Sequence, residues 1–208
     1  LKGANVSLAV QDAAAIVRDA ADIILLKKSM LVIVDGIQEG RKIVANTMKY
    51  IKTTLAGNVG NFYGVAIASL FIPFVPLLPL HILIINLICD FPMIAISTDN
   101  VDSASLKKPH AYTIKNILLI AIILGTVSST FDFITFLIFV HISPGVLQTG
   151  WFMESILTQM VFIFSIRSYR PFYKATMPSW PLLLLASLTA VIGVALPLSS
   201  WGQAYVQF

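Results

Sequence analysis

Two pairs of polar side chains interrupt the apolar stretches in the middle of the chain. Asn58 and Asn61 stand three residues apart in NVGN, and Asn86 and Asp90 stand four apart in NLICD. Residues three or four apart share one face of a helix, so each pair can point in a single direction. Two neighbouring helices could therefore bring one carboxylate and several amide oxygens to the same place.

These oxygen donors suit a hard cation. Magnesium in particular takes one or two carboxylates and keeps several of its waters. An Asp at the centre of a membrane helix costs about 2.5–3.5 kcal/mol on insertion scales, and a bound cation would offset that cost. We therefore predict that the two pairs form part of a cation passage. Pro92 removes a backbone hydrogen bond close to Asp90, which could free a carbonyl as a further ligand.

Two further carboxylates lie in apolar segments. Asp132 follows Ser128 by one helical turn, and Glu154 precedes Thr158 by one turn. A hydroxyl one turn away favours a structural or hydrated role over cation binding. We treat Asp132 and Glu154 as possible secondary polar sites.

Other residues in these segments have simpler interpretations. His81 and Trp151 fall near predicted span ends, where we expect a wet polar tip and an interfacial anchor, respectively. Cys89 has no neighbouring His to complete a soft-metal site, so we expect it to pack. As the one cysteine in the chain, it also rules out an intrachain disulfide.

The composition indicates a membrane protein. Of 208 residues, 57% are hydrophobic and 12% are charged, and the mean hydropathy is +0.86. A membrane helix needs about 20 apolar residues. The predicted fold class is a mainly α-helical polytopic membrane protein with about five transmembrane helices, at 53–72, 77–97, 116–141, 150–167 and 180–198.

The positive charges predict the orientation. Of the fourteen Lys and Arg, eight lie at or before Lys52, three lie in the 98–115 loop, including Lys108, and three lie in the 167–179 loop. Basic residues concentrate on the cytoplasmic side of membrane proteins. We therefore expect a multi-pass protein of the cell membrane with a cytoplasmic N-terminal segment. The net charge of +4 then requires no nucleic-acid partner.

The first fifty residues differ from the rest. ANVSLAV, AAAIVRDAAD and IILL read as strand, helix and strand, a unit that normally belongs to a larger parallel sheet. A helical pattern then runs toward the first span. We predict the end of a cytoplasmic domain over 1–33, a stalk helix over 34–52 and a transmembrane domain over 53–208, and expect the whole to be a piece of a longer protein.

Specific runs in the sequence resemble P-type ATPases. RDAADIILLKKSM and DGIQEGRKIVANTMKYI are similar to the end of the phosphorylation domain and the stalk, and NVGN and NLICD to the fifth and sixth transmembrane helices. SSTFDFITF and LQTGWFMESILTQM resemble the magnesium-translocating subgroup. The resemblance implies helices five to nine, with cation ligands Asn58, Asn61, Asn86 and Asp90. Asn61 and Asp90 would be the metal ligands.

The resemblance also implies activities beyond this chain. Such pumps transfer the γ-phosphate of ATP to an Asp in a DKTGT motif, and this sequence contains neither that motif nor a nucleotide-binding domain. No catalytic residue is therefore predicted here. The implied partners are the lipid membrane, the transported cation and ATP bound through other domains, with Mg²⁺ as the transported ion and as the companion of ATP.

Two alternatives stay open. Asn61 stands where calcium pumps carry Glu, which favours magnesium, whereas AISTDN resembles the proton-pump subgroup, so a P-type pump for protons or another cation is the first alternative. A secondary transporter or channel could also place Asn and Asp in broken helices. The strand–helix–strand segment and its stalk argue against that second alternative.

Overall fold

A computed structural model describes residues 3–107, 113–168 and 170–206. Lys108, one of the basic residues behind the predicted orientation, lies outside these ranges. The internal contacts of the chain define two compact units, Leu1–Lys42 and Ile43–Phe208.

The N-terminal unit contains the predicted strand–helix–strand. Strand β1 (Leu8–Val10), helix α1 (Ala15–Asp19) and strand β2 (Ile23–Leu25) follow in order, and the two strands pair in parallel. Ser7, just before β1, holds the start of β2 beside it, because its backbone N–H and its hydroxyl both donate to Asp22 Oδ2 at 2.8 Å. These hydrogen bonds lower the pKa of the Asp22 carboxyl.

Helix α2 (Met30–Phe71) is 42 residues long. It contains the predicted stalk and nearly all of the predicted first span, 53–72, without a break. Its second half is rich in Gly, Asn and Thr, so the helix falls short of the apolar composition that marks a membrane span. That this part crosses a membrane, and the division at residues 33 and 52, stay predictions.

Four helices in the described ranges are long and apolar enough to cross a membrane, and they match the other four predicted spans. The chain continues with α3 (Pro79–Ala95), which a 3-10 turn extends to Thr98, and with a short α4 (Ser103–Leu106). The remaining elements are α5 (Ile114–Phe139), α6 (Pro144–Ile166), α7 (Trp180–Leu198) and α8 (Ser200–Tyr205). The mainly α-helical membrane fold is thereby confirmed.

Helix α6 begins six residues before the predicted span start at 150. Ser143 caps it by accepting a hydrogen bond from Val146 N at 3.2 Å, and Pro144 occupies the first turn, where its missing N–H costs nothing. The cap and the proline therefore extend the helix beyond the apolar run from which its start was predicted.

Helix α6 is central to the bundle, because it contacts α3, α5 and α7. Its side chains Leu147, Trp151 and Phe152 are at most 1% exposed. Trp151 meets the ring of Phe136 edge-on, with ring centroids 4.6 Å apart. The expectation that Trp151 is an interfacial anchor was therefore wrong: its indole fills the core.

The expectation for His81 was also wrong. Its side chain is fully buried, and Nε2 donates a hydrogen bond to Val206 O at 2.9 Å. The ring also packs edge-on against Phe152. His81 thus joins α3 to the residue that follows α8.

Candidate cation site

A cavity of about 240 Å³ lies between α2, α3 and α6. It brings together all four residues of the predicted cation passage, two from α2 and two from α3. Its lining residues are Thr54, Gly57, Asn58, Asn61, Ile85, Asn86, Cys89, Asp90, Met93 and Gln159. The arrangement therefore gathers one carboxylate, three asparagine amides and one glutamine amide around one space.

Gln159 is the member that the sequence analysis missed. It comes from α6, and its amide lies directly against α2, because a Cβ at Gly57 would collide with Gln159 Oε1. Only glycine at position 57 leaves room for this approach. An amide inside an apolar span is itself a signal, since such groups need a polar partner in a membrane.

Three of the side chains that line the cavity have oxygens available to bind a cation. Among the described residues, none makes a side-chain hydrogen bond with Asn58, Asn86 or Asp90, and all three are exposed in this chain. Lipid on this face would leave the Asp90 carboxylate in hydrocarbon, at a cost of about 2.5–3.5 kcal/mol. The face therefore requires either water or further protein beside it.

The donor set is a hard-cation set. The described residues contain no group of three or more His, Cys, Asp and Glu side chains placed to hold a metal ion. That part of the chain therefore offers neither a His and Cys cluster for a soft metal nor a cluster of several carboxylates. The cavity instead offers one carboxylate with neutral amides, a combination that suits a cation retaining part of its water shell.

The carbonyl that Pro92 releases is already engaged. Pro92 lies inside α3 and cannot donate to Ile88 O, four residues earlier. Thr189 Oγ1 on α7 donates to that oxygen at 3.3 Å. Ile88 O is thus used in helix packing, contrary to the expectation of a free carbonyl ligand near Asp90.

Asp132 and Glu154 form a second polar site, between α5 and α6. Asp132 is 1% exposed, and its Oδ1 accepts a hydrogen bond from Trp151 Nε1 at 2.6 Å. Glu154 accepts from the Thr158 hydroxyl one turn on. The partner of Asp132 is therefore the Trp151 indole and not the Ser128 hydroxyl that the spacing predicted.

A third polar group, which we call the Asp99 cluster (Lys49, Asp99 and Arg167), was not predicted. The buried Asp99 carboxylate accepts from Lys49 Nζ at 2.7 Å and from Arg167 Nε and Nη2 at 3.2 Å each. Ser179 N adds a further bond at 3.1 Å. The cluster thereby ties α2, the segment after α3 and the end of α6 to the residue preceding α7.

Burial shapes the electrostatics of the cluster. Desolvation lowers the pKa of Lys49, and the hydrogen bond and charge of Asp99 offset part of that shift. Lys49 and Arg167 both pair with one buried carboxylate, and removing that carboxylate would leave two buried positive charges without their partner. The Asp99 cluster is thus a structural joint.

Asp102 reinforces the same joint. Its carboxylate accepts from the Ser168 hydroxyl at 2.5 Å and from Thr176 N and Oγ1 at 2.9 and 2.6 Å. Partial burial acts to raise the pKa of Asp102, but these hydrogen bonds outweigh it and bring the pKa to about 2. Asp102 therefore holds the loop after α6 as a permanent anion near neutral pH.

The fold and the cavity together define a multi-pass membrane protein with a candidate cation site. A sequence profile described as "Cation transporting ATPase, C-terminus" matches residues 74–208, which is more than half of the chain. The chain belongs to the family of P-type cation-transporting ATPases and corresponds to the C-terminal membrane part of its members.

Relatives place the chain within such proteins. It is 39% identical over 206 residues to "Magnesium-transporting ATPase, P-type 1" of Escherichia coli strain K12, covering 96% of this chain and 23% of that protein. It is 29% identical to a putative cation-transporting ATPase of Methanocaldococcus jannaschii, over 98% of this chain and 26% of that protein. It is 28% identical to the calcium-transporting ATPase of Bacillus subtilis, over 74% of this chain and 18% of that protein. The chain thus spans about a quarter of the length of the first two.

Proposed function

We propose that this chain is the membrane part of an ATP-driven pump that translocates magnesium. The observation that supports the proposal is the cavity in which Asn58, Asn61, Asn86 and Asp90 meet, with no side-chain hydrogen bond to any of them from the described residues. Asn61 and Asp90 would be the direct metal ligands. Family membership favours a pump over the secondary transporter or channel considered from the sequence.

The ligand chemistry supports magnesium over calcium. Calcium takes six to eight oxygens, often from several carboxylates, whereas magnesium keeps waters and uses one or two carboxylates. The cavity supplies one carboxylate, Asp90, with neutral amides around it. The relatives named as magnesium-transporting ATPases, at 38–39% identity, support the same choice.

Other domains and helices of the pump would supply ATP hydrolysis and the remaining walls of the cavity. ATP would bind and phosphorylate an Asp in other domains, with Mg²⁺ as the companion of ATP, and helix α2 would carry movement to the cavity. Further transmembrane helices would cover the exposed face of Asn58 and Asp90. The positive-charge pattern supports a cytoplasmic N-terminal segment in the cell membrane.

Transport by the full-length protein tests this function. The protein is reconstituted in liposomes with ATP on the side of the N-terminal segment, and separate magnesium-sensitive and pH-sensitive dyes report ion movement. We expect an ATP-dependent magnesium signal that falls to background in Asp90→Asn. The variant Asn86→Ala should weaken transport, whereas Asn116→Ala, an exposed Asn at the start of α5, serves as its matched control.

Each other outcome has a definite meaning. A pH signal without magnesium movement would assign the cavity to a proton pump. Unchanged magnesium transport in Asp90→Asn would refute the proposed ligand set.

A further inference from the structure

The polar site between α5 and α6 contains two buried oxygens without a donor. Asp132 Oδ1 is taken by Trp151 and one oxygen of Glu154 by Thr158. The other two, Asp132 Oδ2 and Glu154 Oε2, are buried and have no hydrogen-bond partner in the described part of the chain. The two carboxyl groups are neighbours, because Asp132 binds the Trp151 indole and Glu154 follows Trp151 by three residues on the same face of α6.

A single proton explains both orphaned oxygens. Two ionised carboxylates side by side away from water repel each other, and neither can donate. If one of them carries a proton, it becomes a donor to the other, and both buried oxygens are satisfied at once. Such a pair binds and releases its proton as a unit.

In the described part of the chain, no cation is among the groups that contact the pair. The groups that face the two carboxyls are each other, the Trp151 indole and the Thr158 hydroxyl from α6, and the Gly64 backbone from α2. The indole and the hydroxyl are neutral donors. They can satisfy one oxygen each, but they cannot balance two negative charges.

We propose that Asp132 and Glu154 form a proton-binding site, separate from the cation cavity, in which one proton is held between Asp132 Oδ2 and Glu154 Oε2. No covalent bond other than O–H is made or broken. Binding the proton leaves the pair with one negative charge, and releasing it leaves two.

Helix α2 lines both this site and the cation cavity. A Cβ at Gly64 would come within 2.5 Å of Asp132 Oδ2, so the carboxylate lies directly against that helix. Gly64 follows Asn61, which lines the cavity, by three residues, or ~4.5 Å along the helix axis. A divalent cation in the cavity would therefore favour the doubly ionised pair, and cation entry would release a proton.

This coupling rests on the proposed function, but the proton site itself does not. Isosteric amides test the site without disturbing its packing. In Asp132→Asn, the amide oxygen can still accept from Trp151, while the amide N–H₂ donates to Glu154 in place of the shared proton. Glu154→Gln offers the same exchange from the other side.

Infrared spectroscopy of the full-length protein detects the proton. Wild type at neutral pH should show the carbonyl stretch of a protonated carboxylic acid, which shifts in D₂O and disappears when Mg²⁺ is added. We expect this band to be lost in both single variants and in the double variant, and to persist without Mg²⁺ in Asp90→Asn, the matched control from the cavity.

The outcomes separate the two proposals. A band that survives in either single variant would show that the carboxyls are protonated independently and would overturn the shared-proton site. Loss of the band as expected, together with Asp90-independent magnesium transport, would refute the cation cavity and leave the proton site standing. A normal pump whose band is unchanged in the double variant would refute the proton site alone.

Discussion

Asp90 and Asp99 lie nine residues apart in one segment of the chain, yet their surroundings are opposite. Asp90 lines the cavity, is exposed in this chain, and forms no side-chain hydrogen bond with any described residue. Asp99 is buried and is bound by Lys49, Arg167 and the backbone of Ser179. The carboxylate of Asp90 is thus available to a ligand, whereas that of Asp99 is fully hydrogen-bonded within the protein.

The contrast separates two uses of a carboxylate, one left open at a cavity and one buried in a joint. A group that is to bind and release an ion must keep its oxygens free, so it contributes little to the stability of the fold. A group that joins three helices must have its charge balanced within the protein, because an isolated buried charge is strongly unfavourable. We therefore expect substitutions at the two positions to affect different measurements.

The largest expected effect is on stability at Asp99. Asp99→Ala leaves Lys49 and Arg167 buried without their counter-charge, and breaking such a pair costs about 3–5 kcal/mol. Asp90→Ala removes a carboxylate that has no partner, so the free energy of unfolding should stay the same or rise slightly. Thermal unfolding of the full-length protein in detergent measures both.

The control is Asp99→Asn, which can still accept from Ser179 N but cannot balance either cation. It should be destabilised less than Asp99→Ala and more than Asp90→Ala. Equal unfolding temperatures for the alanine variants at 90 and 99 would show that the ion pairs of Asp99 do not stabilise the fold.

Asp90 and Asp99 also show which parts of the site could be predicted from the sequence. Asp90 stands out because it is a lone carboxylate in an apolar run with Asn86 one turn before it. Asp99 lies in the polar run STDN, where a charge is unremarkable, and its partners Lys49 and Arg167 are 50 and 68 residues away. Local spacing therefore identified the cavity but could not identify the joint.

The wrong prediction for Trp151 and the missed Gln159 also arise from contacts between residues that are distant in the sequence. Trp151 lies near the end of an apolar run, so the sequence predicted an anchor in the membrane interface. In the structure it is buried, because its ring packs against Phe136 and its indole N–H donates to Asp132 Oδ1 on α5. Gln159 is itself an amide in an apolar span, but it was missed because its neighbour on α2 is Gly57, and a glycine gives no second polar residue with which to pair it in the sequence. The helices themselves were predictable, because length and hydropathy are local properties.

The second-largest effect is expected at Trp151. Trp151→Phe keeps an aromatic ring against Phe136 but removes the donor to Asp132 Oδ1. A buried acceptor left without its donor costs about 1–3 kcal/mol, so the free energy of unfolding should fall by that amount. Trp201→Phe, an exposed Trp in α8, is the matched control.

Double substitution sharpens this prediction. Asp132→Leu removes the acceptor, so adding Trp151→Phe to it should cost less than Trp151→Phe costs in wild type. Full additivity of the two losses would show that the indole stabilises the bundle by packing alone.

A smaller effect is expected at the cavity wall. Gly57→Ala places a methyl group against the Gln159 amide and should push that flexible side chain out of position. If Gln159 contributes to ion binding, the apparent affinity for Mg²⁺ should fall about tenfold, which corresponds to a loss of about 1.4 kcal/mol. Magnesium-dependent ATP hydrolysis at varied free Mg²⁺ measures this change.

Gly145→Ala provides the control, because a Cβ at that position in α6 would meet no described atom within 4 Å outside its own stretch of helix. It should leave the affinity unchanged. An unchanged affinity in Gly57→Ala as well would exclude Gln159 from the ion path and restrict the site to α2 and α3.

The smallest effect concerns acid stability at Asp102. Because the pKa of Asp102 is lowered from 3.8 to about 2, its hydrogen bonds stabilise the folded state fully above about pH 4. That contribution is lost as the pH falls through the folded-state value, since the unfolded state takes up the proton first. Thr176→Val removes one hydroxyl donor, so at neutral pH it should cost about 1 kcal/mol.

The acid dependence distinguishes this from a simple packing defect. With one donor gone, the pKa of Asp102 rises toward its ordinary value, and the variant loses less stability than wild type between about pH 4 and pH 2. The two unfolding curves should therefore converge on acidification. Thr126→Val, which removes an exposed hydroxyl bonded to Ile122 O within α5, should stay parallel to wild type. Parallel curves for Thr176→Val would mean that Asp102 is held by Ser168 and the Thr176 backbone alone.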